Sequence, residues 1–269
     1  MEIKIENLYF KYTDTNYILE DINLMIKNNT ITGIIGSNGS GKTTLVDLID
    51  GLLKPTEGTI KYNNMDVFDS KEIGYLFQNP KNQFFSKTVK QELQSSAIIN
   101  NYKVNILEKR VLDVLKIVNL NQEILSKNPL MLSNSEAKKV ALASILIYNP
   151  KLIILDEPTL NLDDKSKLEF VKLIKMLKNR YNKTIIIISH DIDLLHKIVD
   201  NVVVLFKGKK VLEGNKYDVF KNTKILKKYG LLPPKIIMFS SKVLNKKNIK
   251  LGYRDDINDL IKDIYRNVY

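Results

Sequence analysis

Three short segments carry residues whose types and spacing could do chemistry. Gly36-Ser37-Asn38-Gly39-Ser40-Gly41-Lys42-Thr43 fits the pattern G-x-x-x-x-G-K-[ST]. An apolar run, Ile31–Gly36, leads into it and a helical stretch, Lys42–Asp50, leads out and stops at Gly51. Glycines in such a turn let the backbone curl so that its N–H groups face inward, and the helix N-terminus adds partial positive charge. Lys42 would then reach the β- and γ-phosphates of a nucleotide, and the Thr43 hydroxyl would ligate Mg²⁺. The second segment is Leu152-Ile-Ile-Leu155-Asp156-Glu157. Four apolar residues predict a central strand, and acids at its C-terminal end fall where open α/β sheets bind ligands. Asp156 would hold the metal, directly or through water. Glu157 would act as general base on an attacking water, an effect of ~10²–10⁴-fold. The third is His190, which follows the strand Thr184–Ile188 and could hold the γ-phosphate, Glu157 and the water in line. His196, on the next helix, has no such position and reads as structural.

The elements that must place these groups are short. Strands are expected at Ile3–Phe10, Ile22–Ile26, Ile31–Gly36, Thr59–Tyr62 and Ile73–Phe77, with a loop at Lys54-Pro55 and Glu57-Gly58. The middle reads as helical. Val111, Leu115 and Val118 build one apolar face around Ile106–Leu120, and Ser133–Tyr148 opens with the Ser-x-x-Glu of a capping box at Ser133 and Glu136. Beyond it, strands at Leu152–Leu155, Thr184–Ile188 and Val202–Phe206 alternate with helices at Lys165–Leu177 and Ile192–Val199, which implies a largely parallel α/β sheet. Pro233-Pro234 breaks the chain. A mixed tail follows, ending in an amphipathic helix with Ile257, Leu260, Ile261 and Ile264 on one face.

Composition narrows the alternatives. With 269 residues the chain can bury a real core, and 44% hydrophobic residues is too many for a disordered one. It has no cysteine, which excludes disulfides, thiolate zinc sites, iron–sulfur clusters and a cysteine nucleophile. The charge of +12 admits a nucleic-acid partner, an anionic membrane surface, or mere compositional bias. Its even spread, with no concentrated basic run, favours the last. No apolar run approaches the ~18 residues of a membrane helix. The opening MEIKIENLYFKY reads as a strand, without the apolar core and cleavage site of a signal peptide.

Taken in order, GSNGSGKTT (Gly36–Thr44), Gln78 after a strand, LSNSE (Leu132–Glu136), LIILDEPT, Asn161–Asp163 and His190 resemble the motif series of ABC transporter nucleotide-binding subunits over about residues 1–225. The segment from Gln78 through Gln83, Phe84, Phe85 and Ser86 is similar to the QNPxxQxFSxTV stretch of energy-coupling factor (ECF) ATPases, the cobalt- and vitamin-type importers, and LLPPKI is similar to that group's C-terminal extension. The resemblance implies an α/β P-loop NTPase fold of the ABC type. That fold has a mixed, largely parallel core sheet, N-terminal antiparallel strands and a helical subdomain. Expected boundaries are 1–228 for the nucleotide-binding domain, about 79–150 for the helical subdomain and 229–269 for the extension. It also implies ATP and Mg²⁺ as ligands. Gln78 would sense the metal and the γ-phosphate. Tyr12 would stack on adenine, unless it is a strand aromatic in the core. Ser133 and Ser135 would cap the ATP held by a second subunit. The implied partners are a second ATPase, a transmembrane coupling protein and a small substrate-binding membrane protein, at the cytoplasmic face of the membrane, with no nucleic acid.

The LSNSE segment departs from the family's LSGGQ. Asn134 and Ser135 replace glycines, which limits close backbone approach. Glu136 adds negative charge beside a polyanion, and the lysines that follow offer charge but no bidentate fork. Because this segment serves the partner's site, a heterodimer with a paralogous ATPase is expected. The competing functions are a nucleotide-binding regulatory subunit with weak turnover and a nucleic-acid-associated ABC ATPase. The short stretch between Thr44 and Leu132 leaves no room for the long coiled-coil insertion of the latter.

Overall fold

The computed structural model describes residues 2–13, 16–63, 65–66, 72–100, 106–247, 252–255 and 257–268. The chain begins with an antiparallel sheet of β1 (Ile3–Phe10), β2 (Leu19–Ile26), β4 (Glu57–Tyr62) and β5 (Met65–Asp66), in the order β2-β1-β4-β5. Alternate residues of β1 (Ile3, Ile5, then Leu8 and Phe10) are buried, the period a sheet with one covered face requires. The shift from odd to even positions marks an irregularity in the pairing. Gly58 sits there with φ +83°, and a Cβ on it would lie 2.2 Å from the Asn7 carbonyl oxygen. Glu57-Gly58 therefore opens β4 instead of forming the expected loop.

The second sheet has six strands in the order β10-β9-β3-β8-β7-β6, built from β3 (Ile31–Gly36), β6 (Ile73–Leu76), β7 (Leu152–Asp156), β8 (Thr184–Ile188), β9 (Asn201–Phe206) and β10 (Lys209–Asn215). All but β10 run parallel. The central strands are continuous apolar runs because both faces are covered. Ile185 and Ile187 of β8 join the core beneath the helices, and Ile186 and Ile188 join the core shared with the antiparallel sheet. Between the two sheets lies α1 (Lys42–Asp50), which buries Leu45, Val46, Leu48 and Ile49. Register places Ile34 opposite Ile188, and Ile188 opposite Asp156, so the C-terminal ends of β3, β8 and β7 reach one edge together.

The helical layer contains α2 (Val89–Ile99), α3 (Leu107–Ile117), α4 (Asn134–Leu146), α5 (Asp164–Tyr181) and α6 (Ile192–Ile198). Both halves of the expected capping box form: the Ser133 hydroxyl accepts from the Glu136 N–H, and the Glu136 carboxylate accepts from the Ser133 N–H. The tail holds more helix than the sequence suggests: α7 (Lys216–Lys221), α8 (Thr223–Lys228) and α9 (Lys235–Lys247) precede the expected α10 (Ile257–Val268). Only part of the apolar face of α10 is covered: Leu260 is buried, whereas Ile257 and Ile261 are exposed. Among the described residues, no helix is long and apolar enough to cross a membrane.

Asp50, at the end of α1, is raised to about 6 by burial and by the like charge of Asp47. A carboxyl raised in the fold contributes stability when protonated and loses it as the pH climbs through about 6. Asp50→Asn should therefore melt higher than wild type at pH 8, with the difference closing toward pH 4, as followed by thermal denaturation across that range.

Candidate nucleotide site

The turn after β3 is shaped by what it lacks. A Cβ on Gly36 would lie 2.4 Å from both the Leu205 carbonyl oxygen and Ser40 Oγ, and one on Gly41, at φ +97°, would lie 2.6 Å from Leu19 Cδ2. Gly41 caps α1 in the left-handed region, so the N–H groups of the first turn open onto the space beyond the sheet edge. Lys42 is buried. Its Nζ folds back to donate to the carbonyls of Gly36 (3.0 Å) and Ser37 (2.9 Å). Burial pulls the ammonium down, and Glu157 and Asp156 oppose the shift.

A cavity of about 480 Å³ opens above this turn, lined by Asn38 through Thr44 together with Gln78, Asp156, Glu157 and His190. Asp156 ends β7 and is raised to about 6, first by burial and then by the charges of Glu157 and Asp47. Glu157 follows in the left-handed region, φ +45°, which costs a non-glycine residue roughly 1–2 kcal/mol. Its surroundings hold it there. The Glu157 N–H donates to the Ile188 carbonyl at 2.9 Å, and its own carbonyl accepts from the Leu160 N–H at 3.1 Å and Lys138 Nζ at 2.7 Å. Its carboxylate accepts from the Ser189 hydroxyl (2.9 Å) and the His190 N–H (2.7 Å). The His190 ring is half exposed, with Nε2 at 3.8 Å from Glu157 Oε1.

Gln78 is exposed at the end of β6, on a loop that is itself built. Gln83 donates to the Tyr75 carbonyl (2.7 Å) and accepts from the Phe77 N–H (3.2 Å), Asn79 caps the 3-10 turn Pro80–Gln83, and buried Glu92 accepts from the N–H groups of Phe85 and Ser86. Gly36 and Ser37 line an adjoining cavity with His190. Tyr12 is 61% exposed, edge-on to Phe10, with its hydroxyl 3.4 Å from Thr44 Oγ1, so it is not a core aromatic. Ser133 and Ser135 are not brought to the cavity. They belong to the exposed start of α4, beside a separate pocket lined by Asn134, Lys138, Gln78 and Asn161. His196 is buried against Phe220 and Tyr253. Two residues of the site went unread in the sequence. Ser189 directly precedes His190, and its adjacency was a usable signal. Lys138 is one of the two lysines that follow the LSNSE segment, where the sequence points only to their charge.

A three-layer α/β fold with a glycine turn, a buried lysine and paired acids at one sheet edge defines a P-loop nucleoside triphosphatase. The model of the ABC transporter family matches residues 19–160. The chain is 37% identical to the energy-coupling factor transporter ATP-binding protein EcfA2 of Caldanaerobacter subterraneus subsp. tengcongensis, over 88% of this chain and 87% of that protein. It is 33% identical to EcfA2 of Clostridium acetobutylicum over 98% and 94%. Among solved structures it is similar to cbiO1 from Clostridium perfringens, described as part of the ABC transporter complex cbiONQ (TM-score 0.76, 35% identity, 89% of this chain and 98% of that one). It is also similar to an ATP-binding cassette dimer bound to ADP and Pi in a post-hydrolysis state (TM-score 0.71, 29% identity, 80% and 98%). The chain belongs to the ABC transporter ATPase family, in its energy-coupling factor group.

The glycine turn yields a graded prediction. Gly36→Ala forces a Cβ onto backbone and should reduce binding of a fluorescent ATP analogue by more than about tenfold. Gly39→Ala meets nothing within 4 Å, bears only the strain of φ +72°, and should bind several-fold more tightly than Gly36→Ala in the same titration.

Proposed function

We propose that this chain is the ATP-hydrolysing subunit of an energy-coupling factor importer. In this reading it works at the cytoplasmic face of the membrane and drives uptake of a vitamin or transition-metal ion through a transmembrane coupling protein and a substrate-binding membrane protein. The observation that carries the reading is the meeting of the Lys42 turn, Asp156, Glu157 and His190 at one cavity. Residues 1–228 form the nucleotide-binding unit, with 79–150 as its helical part, and 229–269 form the extension. The donors near Lys42 are a hydroxyl (Thr43), a carboxylate (Asp156) and an amide (Gln78), all hard oxygen ligands of the kind Mg²⁺ takes alongside phosphate oxygens. Asp156, raised by burial, is a carboxylate that a cation would stabilise in its charged form. Bound there, Mg²⁺ would neutralise charge on the β- and γ-phosphates. Lys42 leaves the Gly36 and Ser37 carbonyls for phosphate oxygen. Glu157 accepts a proton from the attacking water, and His190 orients the γ-phosphate. Tyr12, beside the first turn of α1, offers its exposed ring to the base.

The partner follows from α4. The Ser133 hydroxyl donates to Glu136 at 2.8 Å, and that carboxylate, which these hydrogen bonds hold below the usual range, also faces Lys127. A serine already donating to a carboxylate in its own helix is a poor cap for a second subunit's γ-phosphate. That favours a heterodimer in which a paralogue with an unaltered signature completes this chain's site. The same capping box is what favours the runner-up, a regulatory subunit with weak turnover.

In the purified complex, Lys42→Ala should abolish ATP binding, and Glu157→Gln should preserve binding while turnover falls by about 10²-fold or more. Unchanged transport in Glu157→Gln would move the chain to the regulatory reading. Replacing Asn134 and Ser135 by Gly and Glu136 by Gln should raise turnover by recruiting the weaker composite site. Unaltered steady-state hydrolysis would refute the account of the signature.

A further inference from the structure

We propose that Lys138 is a positioning residue for Glu157: its ammonium fixes the backbone from which the general base reaches the attacking water. The inference rests on the role given to Glu157 above.

Lys138 lies on α4, where its neighbours Ala137, Val140 and Ala141 are all buried in the core. Packing alone would place hydrocarbon here. The side chain is instead 3% exposed and ends in a charge. The neighbouring Lys139 makes an ordinary ion pair with Glu169 at 2.8 Å, whereas the Lys138 ammonium donates to the Glu157 backbone carbonyl at 2.7 Å. Burial draws the ammonium down to about 8, and the nearby charges of Glu157 and Asp156 work against that shift. A buried ammonium is costly unless it is hydrogen-bonded, so its position is strongly constrained, and so is the carbonyl it holds.

That carbonyl belongs to a residue in the left-handed region, φ +45°. Five hydrogen bonds hold Glu157, and they divide by function. Two, from Ser189 and His190, occupy the carboxylate, which must be released in part before it can face water. The other three hold the peptide: Ile188 accepts from its N–H, and Leu160 and Lys138 donate to its carbonyl. Once the side chain turns toward the γ-phosphate, the peptide contacts alone decide where the base stands. Lys138 supplies the one charge-assisted bond among them, and a displacement of ~1 Å can cost about 10²-fold in rate.

The test uses the ATPase complex with its paired subunit. Lys138→Met keeps the packing and removes the donor. Turnover should fall about tenfold or more, while ATP affinity, KM and melting temperature stay at wild-type values. Lys138→Arg restores a donor and should recover a large part of the lost kcat. Wild-type turnover in Lys138→Met would overturn the proposal. So would a parallel loss of kcat, affinity and melting temperature that Lys138→Arg does not rescue, since that is the pattern of packing alone. If Lys138→Met does not fold, the arginine variant decides: turnover near wild type supports the proposal, and turnover reduced about tenfold in a folded protein overturns it. Glu157→Gln, measured alongside, separates the two claims. Retained turnover there refutes the general base itself. Abolished turnover there with a fully active Lys138→Met refutes only the positioning role.

Discussion

Ile34, Ile188 and Asp156 stand in one row across three hydrogen-bonded parallel strands, and the phosphate turn, both acids and His190 are counted from that row. Two residues beyond Ile34, the chain reaches Gly36 and the phosphate turn. Two residues beyond Ile188 it reaches His190. One residue beyond Asp156 it reaches Glu157. A slip of one residue in either pairing would turn the buried isoleucines of β8 to the wrong core and carry the site with them. Side chains fill both faces of β8, so the register is fixed by burial on two sides. The precision of the site is therefore inherited from the packing of strands that do no chemistry.

Electrostatics at that edge is arranged for a ligand more charged than anything the chain itself provides. Lys42 and Lys138 are both drawn down by burial, and Asp156 is pushed up. Each is in its less comfortable charge state when ionised, and the four charged groups, with Glu157, only partly relieve one another. Lys42 meets its need by donating to the carbonyls of its own turn. A polyphosphate arriving with a cation would give Lys42 an anion and Asp156 a positive neighbour together. The same pair of groups that is strained alone is satisfied by the complex, a difference in affinity that can drive closure of an assembly around nucleotide.

The strands and helices that carry the site were legible because they obey local rules. Lys42–Asp50 ends at a glycine, Thr184–Ile188 is a pure apolar run, and the capping box at Ser133 announces α4. What escaped was non-local. β10 is an edge strand with no fully buried residue and little apolar pattern, joined to β9 by a two-residue turn at Lys207-Gly208 with positive φ at both positions. Gly58 looks like a turn residue, but its role is to let β4 pass the Asn7 carbonyl. The extension was legible as a chain break at Pro233-Pro234, yet its placement involves pairs no pattern encodes: Lys216 with Asp255 ties it to the main body, and Arg254 with Asp263 braces it internally. The acids and the histidine of the site were readable because each sits at a strand end. Lys138 was not, because its importance lies in a single hydrogen bond across the fold, and Ser189 was signalled only by standing next to His190.

Helix α4 joins these themes. Its first residues carry the LSNSE segment, which the proposed heterodimer would present to a second subunit, and its second turn holds the peptide of Glu157. A helix is stiff over that length, since each turn is fixed by hydrogen bonds to the next. A displacement of its N-terminus on meeting a second subunit's nucleotide would be transmitted to Lys138 as a displacement of nearly the same size. The Glu157 carbonyl would feel it directly. In the proposed heterodimer the LSNSE segment would then bear on both sites at once. It would weaken the cap offered to the partner, while its capping box fixes the start of the helix that carries Lys138. If the proposed heterodimer forms, its two composite sites would differ, one capped by LSNSE and one holding this chain's Glu157, and a pair of unlike subunits could turn that asymmetry into an ordered cycle.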